Sequence, residues 1–284
     1  MKSNNLFSRI YVGVIGVIII CISTIYSIQF ALLFGLIWIF CAVELFRVLG
    51  LLDNNLFLLP QKITWIISSF LLFLFIIAAY IFSHSYTMVP FTTPTFLQPL
   101  SRIGFILLFA GWILSVYHLF FIQKGKTPFY SGVLYLAVPF TFIILIRIFY
   151  GWESIALLFI GNWTMDIFSY VFGMTWGKHK IAPTISPKKS WEGFIGGVIG
   201  SMACFLFFHW AVISYPITFF TLIFSIFLPI ISFFGDLMQS KIKRLVPIKD
   251  SGTILQGHGG IWDRFDGMIF YVVGFGLYLF FIVP

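Results

Sequence analysis

Long apolar runs alternate with short polar segments along this sequence. A helix rises 1.5 Å per residue, so about 20 apolar residues cross the roughly 30 Å hydrocarbon layer of a bilayer. The pattern therefore predicts an all-α polytopic membrane protein with about nine transmembrane helices. The predicted spans are residues 10–26, 28–49, 63–82, 103–122, 128–149, 155–174, 193–213, 218–240 and 267–283.

Composition supports the same class of protein. The chain has 284 residues, of which 60% are hydrophobic and 9% charged, and its mean hydropathy is +1.04. A water-soluble globule of this size could not bury so much apolar surface. The sequence thus indicates an integral membrane protein.

The basic residues predict the orientation of the chain. If the nine predicted spans alternate sides, only Arg102 and Arg147 of the 17 Lys and Arg residues lie opposite the N-terminus, which leaves 15 on its side. Cytoplasmic loops are enriched in Lys and Arg. We therefore expect a cytoplasmic N-terminus and an extracytoplasmic C-terminus. The net charge of +8 then reflects topology, and no nucleic-acid partner is expected because the sequence has no soluble basic domain.

The acidic residues concentrate the chemistry in the C-terminal half. We predict a transmembrane support region over residues 1–127 and a catalytic region over 128–284, with cytoplasmic loops 175–192 and 241–266. Glu44, Asp53 and Glu153 lie near predicted loops or helix ends, where we expect solvated or interfacial positions. The other six of the nine acidic residues all fall within the last 119 positions: Asp166, Glu192, Asp236, Asp250, Asp263 and Asp266.

The stretch SFFGDLMQSKIKR, residues 232–244, closes the eighth predicted span. On a helix, Asp236, Ser240 and Lys243 share one face. A charge deep in the bilayer costs roughly 2.5 to 3.5 kcal/mol on insertion scales, so such residues usually face a cavity or a partner. The alternative is that Asp236 lies in the headgroup zone and pairs with Lys243.

The stretch KDSGTILQGHGGIWDRFD, residues 249–266, is a hydrophilic run in a mostly apolar chain. Gly259 and Gly260 belong to a glycine-rich loop that can turn backbone N–H groups toward phosphate oxygens. Asp263 and Asp266 are three residues apart and can converge on one cation. Hard divalent ions such as Mg²⁺ prefer carboxylate oxygens. His258 is either a site residue or a structural histidine.

A third cluster, MDIFSYVFGMTWGKHKIAPTISPKKSWEG, covers residues 165–193. Asp166 follows the sixth predicted span toward the cytoplasm, and the loop beyond supplies Lys188 and Lys189. Two predicted helices separate this loop from the loop after span eight, so both loops open on the same side. We expect them to form one site. The glycines of span seven, from Gly193 to Gly200, fit close helix packing better than a nucleotide loop.

Two of these segments resemble a known family. SKIKRLVPIKDSGTILQGHGGIWDRFD, residues 240–266, closely resembles the signature of phosphatidate cytidylyltransferases, and residues 166–197 look like a second segment of that family. The family usually has Pro where this chain has Gln256, and many members have Glu where it has Gln239.

The resemblance implies a nucleotidyltransferase of phospholipid biosynthesis, which converts CTP and phosphatidate to CDP-diacylglycerol and diphosphate. The implied location is the plasma (bacterial inner) membrane, as a multi-pass protein whose active site faces the cytoplasm. The implied cofactor is Mg²⁺, with a second, monovalent cation left open. Expected partners are CTP, phosphatidate and membrane lipids, and a homodimer is left open.

The resemblance also implies roles for individual residues. The metal would be held first by Asp236 and Asp263, with Asp266 in support. Phosphate neutralisation and catalysis would fall to Lys243, Arg244, Lys249, Asp250, His258 and Arg264. Nucleotide or lipid phosphate would contact Asp166, Lys188, Lys189, Ser240, Gly259 and Gly260.

Two rival functions remain at this point. A CTP-dependent polyprenol or lipid kinase would share a multi-span, metal-dependent site but would transfer the terminal phosphoryl group to an alcohol. A transporter would place its charges midway along several helices, whereas here most charges lie near one predicted face. The long signature argues against the kinase, and the placement of the charges argues against the transporter.

Overall fold

In the computed structural model, the described residues are 2–52, 97–122, 129–212, 216–255 and 259–282, and most of them are helical. A short 3₁₀ turn, Trp262–Arg264, precedes the last helix. The helices are α1 (Lys2–Ser23), α2 (Ser27–Leu52), α3 (Leu97–Phe120), α4 (Phe129–Thr175), α5 (Trp191–Val212), α6 (Phe219–Leu245) and α7 (Met268–Ile282).

These helices match the predicted spans closely, except where the prediction lies outside the described ranges. The predicted span 63–82 is such a case, so the count of nine stays a prediction. Predicted spans five and six form the two helical segments of α4, which a kink at Gly151, with a φ of 78°, separates. Glycine adopts such a positive φ without a Cβ clash. Within the described ranges, four helices are long and apolar enough to cross a bilayer, which indicates a multi-pass membrane protein.

The second segment of α4 packs directly against α5. A Cβ atom added at Gly196 would collide with Phe172, and one added at Gly200 would collide with Phe168. Ser201 Oγ also donates a 2.7 Å hydrogen bond to the carbonyl of Gly161. The glycines of α5 therefore serve close helix packing, as the sequence predicted.

Contacts between helix ends agree with the predicted alternation of sides. Arg147 Nε donates to the carbonyl of Thr24 at 2.8 Å, which joins two ends predicted to be extracytoplasmic. Lys241 Nζ donates to the carbonyl of Phe120 at 2.7 Å, which joins two ends predicted to be cytoplasmic. Each pair thus lies on one side of the bundle, while the direction of the whole chain across the membrane stays a prediction.

The predicted cytoplasmic loop 175–192 contains a small antiparallel hairpin. Strand β1 (Lys180–Ala182) pairs with β2 (Ser186–Ser190), and the N–H of Trp191 donates to the carbonyl of His179 at 2.9 Å. The prediction of helices alone missed this element, because two strands this short carry little periodic signal. The hairpin delivers Lys188 and Lys189 next to the start of α5.

Aromatic packing in the core fixes the chain just before α7. Phe265 lies edge-on to Phe34 of α2, with ring centroids 6.2 Å apart, and also contacts Phe140 of α4 at 5.7 Å. The segment from the signature stretch into α7 is thereby held against helices of both predicted regions.

Candidate active site

Asp263 ties together the two ends of the signature loop, defined here as residues 249–266. Its Oδ1 accepts a 2.7 Å hydrogen bond from the buried ammonium of Lys243. Its Oδ2 accepts from the backbone N–H groups of Ser251 at 2.8 Å and Gly260 at 2.9 Å. Burial alone would raise the pKa of Asp263, but Lys243 and these N–H donors outweigh it and hold the pKa below its ordinary value. Asp263 is therefore an ionised anchor of the loop.

Glu44 of α2 is a second buried anchor of the same loop. Its Oε2 accepts from Ser251 Oγ at 2.7 Å and from the N–H of Trp262 at 2.9 Å, and its Oε1 accepts from the N–H of Ile261 at 3.1 Å. The expectation of a solvated or interfacial position was wrong for Glu44, because its side chain is buried. The available signal was a carboxylate inside an apolar span, which requires a partner.

Gln239 supplies a third attachment point. This fully buried side chain donates from Nε2 to the carbonyl of Trp262 at 2.9 Å. An amide can donate this bond, whereas an ionised carboxylate only accepts. The departure from the Glu of many family members therefore has a specific structural role in this chain.

The glycines of the loop permit close approach of the backbone to these anchors. Gly259 has a φ of 84°, and a Cβ at Gly260 would collide with Glu44 and Ser251. The N–H of Leu255 donates to the carbonyl of Gly259 at 3.1 Å. The role predicted for these glycines, contact with phosphate, stays a prediction. The predicted site residue His258 and the departure at 256 lie outside the described residues.

Three carboxylates interact electrostatically beside the loop. The charge of Asp236 on α6 acts on Asp166 of α4, and the charges of both residues act on Asp266. Burial first, and then the charges of Asp236 and Asp166, raise the pKa of Asp266 well above its ordinary value. Lys189 of the hairpin forms a salt bridge with Asp236, and Ser240 Oγ donates to the same carboxylate at 3.4 Å. Asp166, Asp236 and Asp266 are called the acidic cluster below.

The pairing of charges differs from the simple helical alternative. Lys243 does not pair with Asp236, which lies two turns away on the same helix face; it pairs with Asp263, and Asp236 pairs with Lys189. The structure thus places Asp236 and Asp263 against different cations. Among the described residues, no group of three His, Cys, Asp or Glu side chains is assembled closely enough to hold a metal ion alone.

The hairpin lies next to the segment that leads into the signature loop, as expected from the two intervening helices. Arg244 Nε donates to the carbonyl of Ile185 at 3.3 Å, and its Nη1 donates to the carbonyl of Ile248 at 2.7 Å. Arg244 therefore joins the hairpin to the residue immediately before the loop. Lys188 lies exposed on the hairpin.

A cavity of about 900 Å³ opens beside the loop. Its wall includes the predicted site residues Lys249, Asp250, Gly259 and Arg264, together with Arg47 from α2. Arg264 also interacts electrostatically with Asp166 of the acidic cluster. Ligand pockets typically enclose about 300–1,000 Å³, and this volume suits a nucleotide or a lipid headgroup.

A membrane-embedded bundle that gathers carboxylates, lysines and a glycine-rich loop at one end is a class of protein suited to phosphate chemistry. The model of the cytidylyltransferase family matches residues 7–282. The chain therefore belongs to the cytidylyltransferase family, and the resemblance seen in the sequence is confirmed.

Individual relatives carry a more specific name. The chain is 34% identical over 233 residues to the phosphatidate cytidylyltransferase of Bacillus subtilis, covering 80% of this chain and 76% of that protein. It is 37% identical over 171 residues to the phosphatidate cytidylyltransferase of Haemophilus influenzae, 58% of each chain. It is 44% identical over 124 residues to that of Staphylococcus haemolyticus, 42% of this chain and 46% of the relative.

Proposed function

We propose that this protein is a phosphatidate cytidylyltransferase that converts CTP and phosphatidate to CDP-diacylglycerol and diphosphate. We place it in the bacterial inner membrane, with its site at the cytoplasmic face. The observation that carries the proposal is the convergence of the hairpin, the end of α6 and the signature loop, through Lys189–Asp236 and Lys243–Asp263. Membership of the family and the names of its relatives support this reaction.

The reaction suits a site rich in charges and poor in bases. A phosphate oxygen of phosphatidate attacks the α-phosphorus of CTP, and the bond from that phosphorus to the diphosphate breaks. The attacking monoester is already ionised, so no strong general base is needed. Catalysis then rests on positioning and on neutralisation of the phosphate charges.

The acidic cluster fits a divalent cation by its donor chemistry. The charges of Asp236 and Asp166 contribute to the raised pKa of Asp266, and a bound cation would relieve this repulsion. Mg²⁺ is commonly bound by one or two carboxylates together with substrate phosphates, which agrees with the lack of a preassembled three-ligand group among the described residues. We assign Asp236 and Asp266 as its ligands, with Asp166 beside them. When bound, the ion would neutralise charge on the transferred phosphoryl group and on the diphosphate.

Asp263 was predicted to bind the metal, but the same carboxylate also anchors the loop. Both of its oxygens already accept hydrogen bonds, from Lys243 and from two backbone N–H groups. We therefore propose that Asp263 acts first by holding Lys243 and the loop in position. Comparison of Mg²⁺ dependence in Asp236→Asn, Asp266→Asn and Asp263→Asn separates the two roles.

The cations have separate places in this proposal. Lys189 and Lys243 flank the acidic cluster and the loop, where they would neutralise the reacting phosphates. Lys249 and Arg264 line the cavity, where they would hold the rest of a phosphate-bearing substrate. The kinase and transporter alternatives are not favoured, because the family match covers nearly the whole chain.

Product analysis tests the proposal. Purified protein in detergent receives CTP, phosphatidate and Mg²⁺, and the lipid products are identified by mass. We expect CDP-diacylglycerol and an equal amount of diphosphate. A phosphorylated lipid with CDP, or no product from folded protein, would refute the proposed reaction.

A further inference from the structure

We propose that Arg47, on helix α2 of the N-terminal region, is a substrate-binding residue that holds a phosphate group in the cavity beside the signature loop. This inference rests on the proposed function, and it extends the active site beyond the C-terminal half. The ligand of Arg47 is a phosphate group. The phosphate belongs either to CTP or to phosphatidate, and the experiment below distinguishes the two.

The first support is the position of Arg47 in the cavity wall. Arg47, Val48 and Leu51 of α2 form one side of the cavity of about 900 Å³, and the signature loop forms the other. Arg47 is exposed, and within the described ranges no salt bridge engages its guanidinium. A long cationic side chain is thereby available to a ligand in the cavity.

The second support is that hydrogen bonds hold α2 in a fixed position against the loop. Glu44 lies one helical turn before Arg47, so the two side chains share a helix face. The hydrogen bonds of Glu44 to Ser251, Ile261 and Trp262 fix that face relative to the loop. The position of Arg47 in the cavity is therefore set by a buried attachment close to it.

The third support is the balance of charge. Among the described residues that line the cavity, three are cations, namely Arg47 from α2 and Lys249 and Arg264 from the signature loop, and one is a carboxylate, Asp250. Such an excess favours an anion. The planar guanidinium of arginine matches phosphate oxygens with two parallel N–H donors, so its bonds to phosphate are stronger than neutral ones.

The experiment measures binding and turnover in R47Q, R47K and the control K180Q. Lys180 is an exposed cation on β1 and does not line the cavity. Equilibrium binding of labelled CTP is measured in phosphatidylcholine nanodiscs without phosphatidate. The KM for phosphatidate is measured at saturating CTP. Size-exclusion profiles verify folding of each variant, and R47K decides the result if R47Q does not fold.

We expect R47Q to raise either the Kd for CTP or the KM for phosphatidate by at least about tenfold. R47K should give an intermediate value, because it keeps the charge but not the planar pair of donors. K180Q should match wild type. A raised Kd for CTP assigns the phosphate to the nucleotide. A raised KM for phosphatidate with normal CTP binding assigns it to the lipid. Unchanged constants in folded, active R47Q overturn the inference alone, whereas wild-type protein that makes no CDP-diacylglycerol refutes the proposed function.

Discussion

Removal of the Glu44 carboxylate should release the signature loop from α2. In Glu44→Ala the hydroxyl of Ser251 and the N–H groups of Ile261 and Trp262 all lose their acceptor. A buried donor left without a partner costs about 1–3 kcal/mol. Three such losses, partly relieved by water entering the new space, amount to about 4 kcal/mol for the ordered state of the loop. If only the ordered loop supports the reaction, turnover should fall about 900-fold.

Glu44→Gln provides a graded comparison. A glutamine placed with its carbonyl oxygen toward Ser251 and Trp262 keeps two of the three bonds and turns its amide group toward Ile261. One bond is lost and the charge is removed, so we expect a cost of about 2 kcal/mol and a fall in turnover of about 30-fold. The matched control is Glu153→Gln, because Glu153 lies beside the break in α4, away from the loop.

The assay combines turnover with amide hydrogen exchange of peptides covering residues 251–262, followed by mass spectrometry. We expect faster exchange in this segment in the order wild type, Glu44→Gln, Glu44→Ala, with turnover falling in the same order. Glu153→Gln should leave both unchanged. Wild-type protection and wild-type turnover in folded Glu44→Ala would refute the role of Glu44 as an anchor.

Three further predictions concern neighbouring contacts. Asp236→Asn and Asp266→Asn should each lower turnover at least about 100-fold, and the double variant should be little worse because both act on one ion; additive losses in a Mg²⁺ titration would contradict this. Gln239→Glu should lower the free energy of unfolding by about 1–3 kcal/mol, because a carboxylate would face the carbonyl of Trp262; an unchanged thermal midpoint would count against that contact. Gly260→Ala should abolish turnover while the helices stay folded by circular dichroism, since the new methyl group would displace the loop from Glu44; normal activity would show that the loop accommodates it.

Much of the fold could be predicted from hydropathy. Spans of about 20 apolar residues are specified by the thickness of the bilayer, so the bounds of α2, α5 and α6 agree with the prediction to within a few residues. The break at Gly151 was placed correctly, because it separates two helical segments that correspond to predicted spans five and six. The hairpin at Lys180–Ser190 was missed, because short strands that pair only with each other leave little trace in a pattern of hydrophobic residues.

The candidate site was predicted in part. The sequence brought the hairpin lysines and the signature loop to one side of the membrane, and the contacts of Lys189 and Arg244 agree. It could not tell which carboxylate pairs with which cation, because helical spacing identifies only neighbours within the same helix. The partner of Lys243 comes from residue 263, and Glu44 meets residues more than 200 positions away in the sequence. Only tertiary packing creates these pairs.

The position of a radioactive label in the lipid product tests the central claim most directly. Wild-type protein is supplied with phosphatidate, Mg²⁺ and CTP that carries ³²P either at the α or at the γ position. Cytidylyl transfer predicts that the α label enters the lipid and that the γ label is released as diphosphate. Entry of the γ label into the lipid, or no transfer of either label by folded protein, would contradict the account.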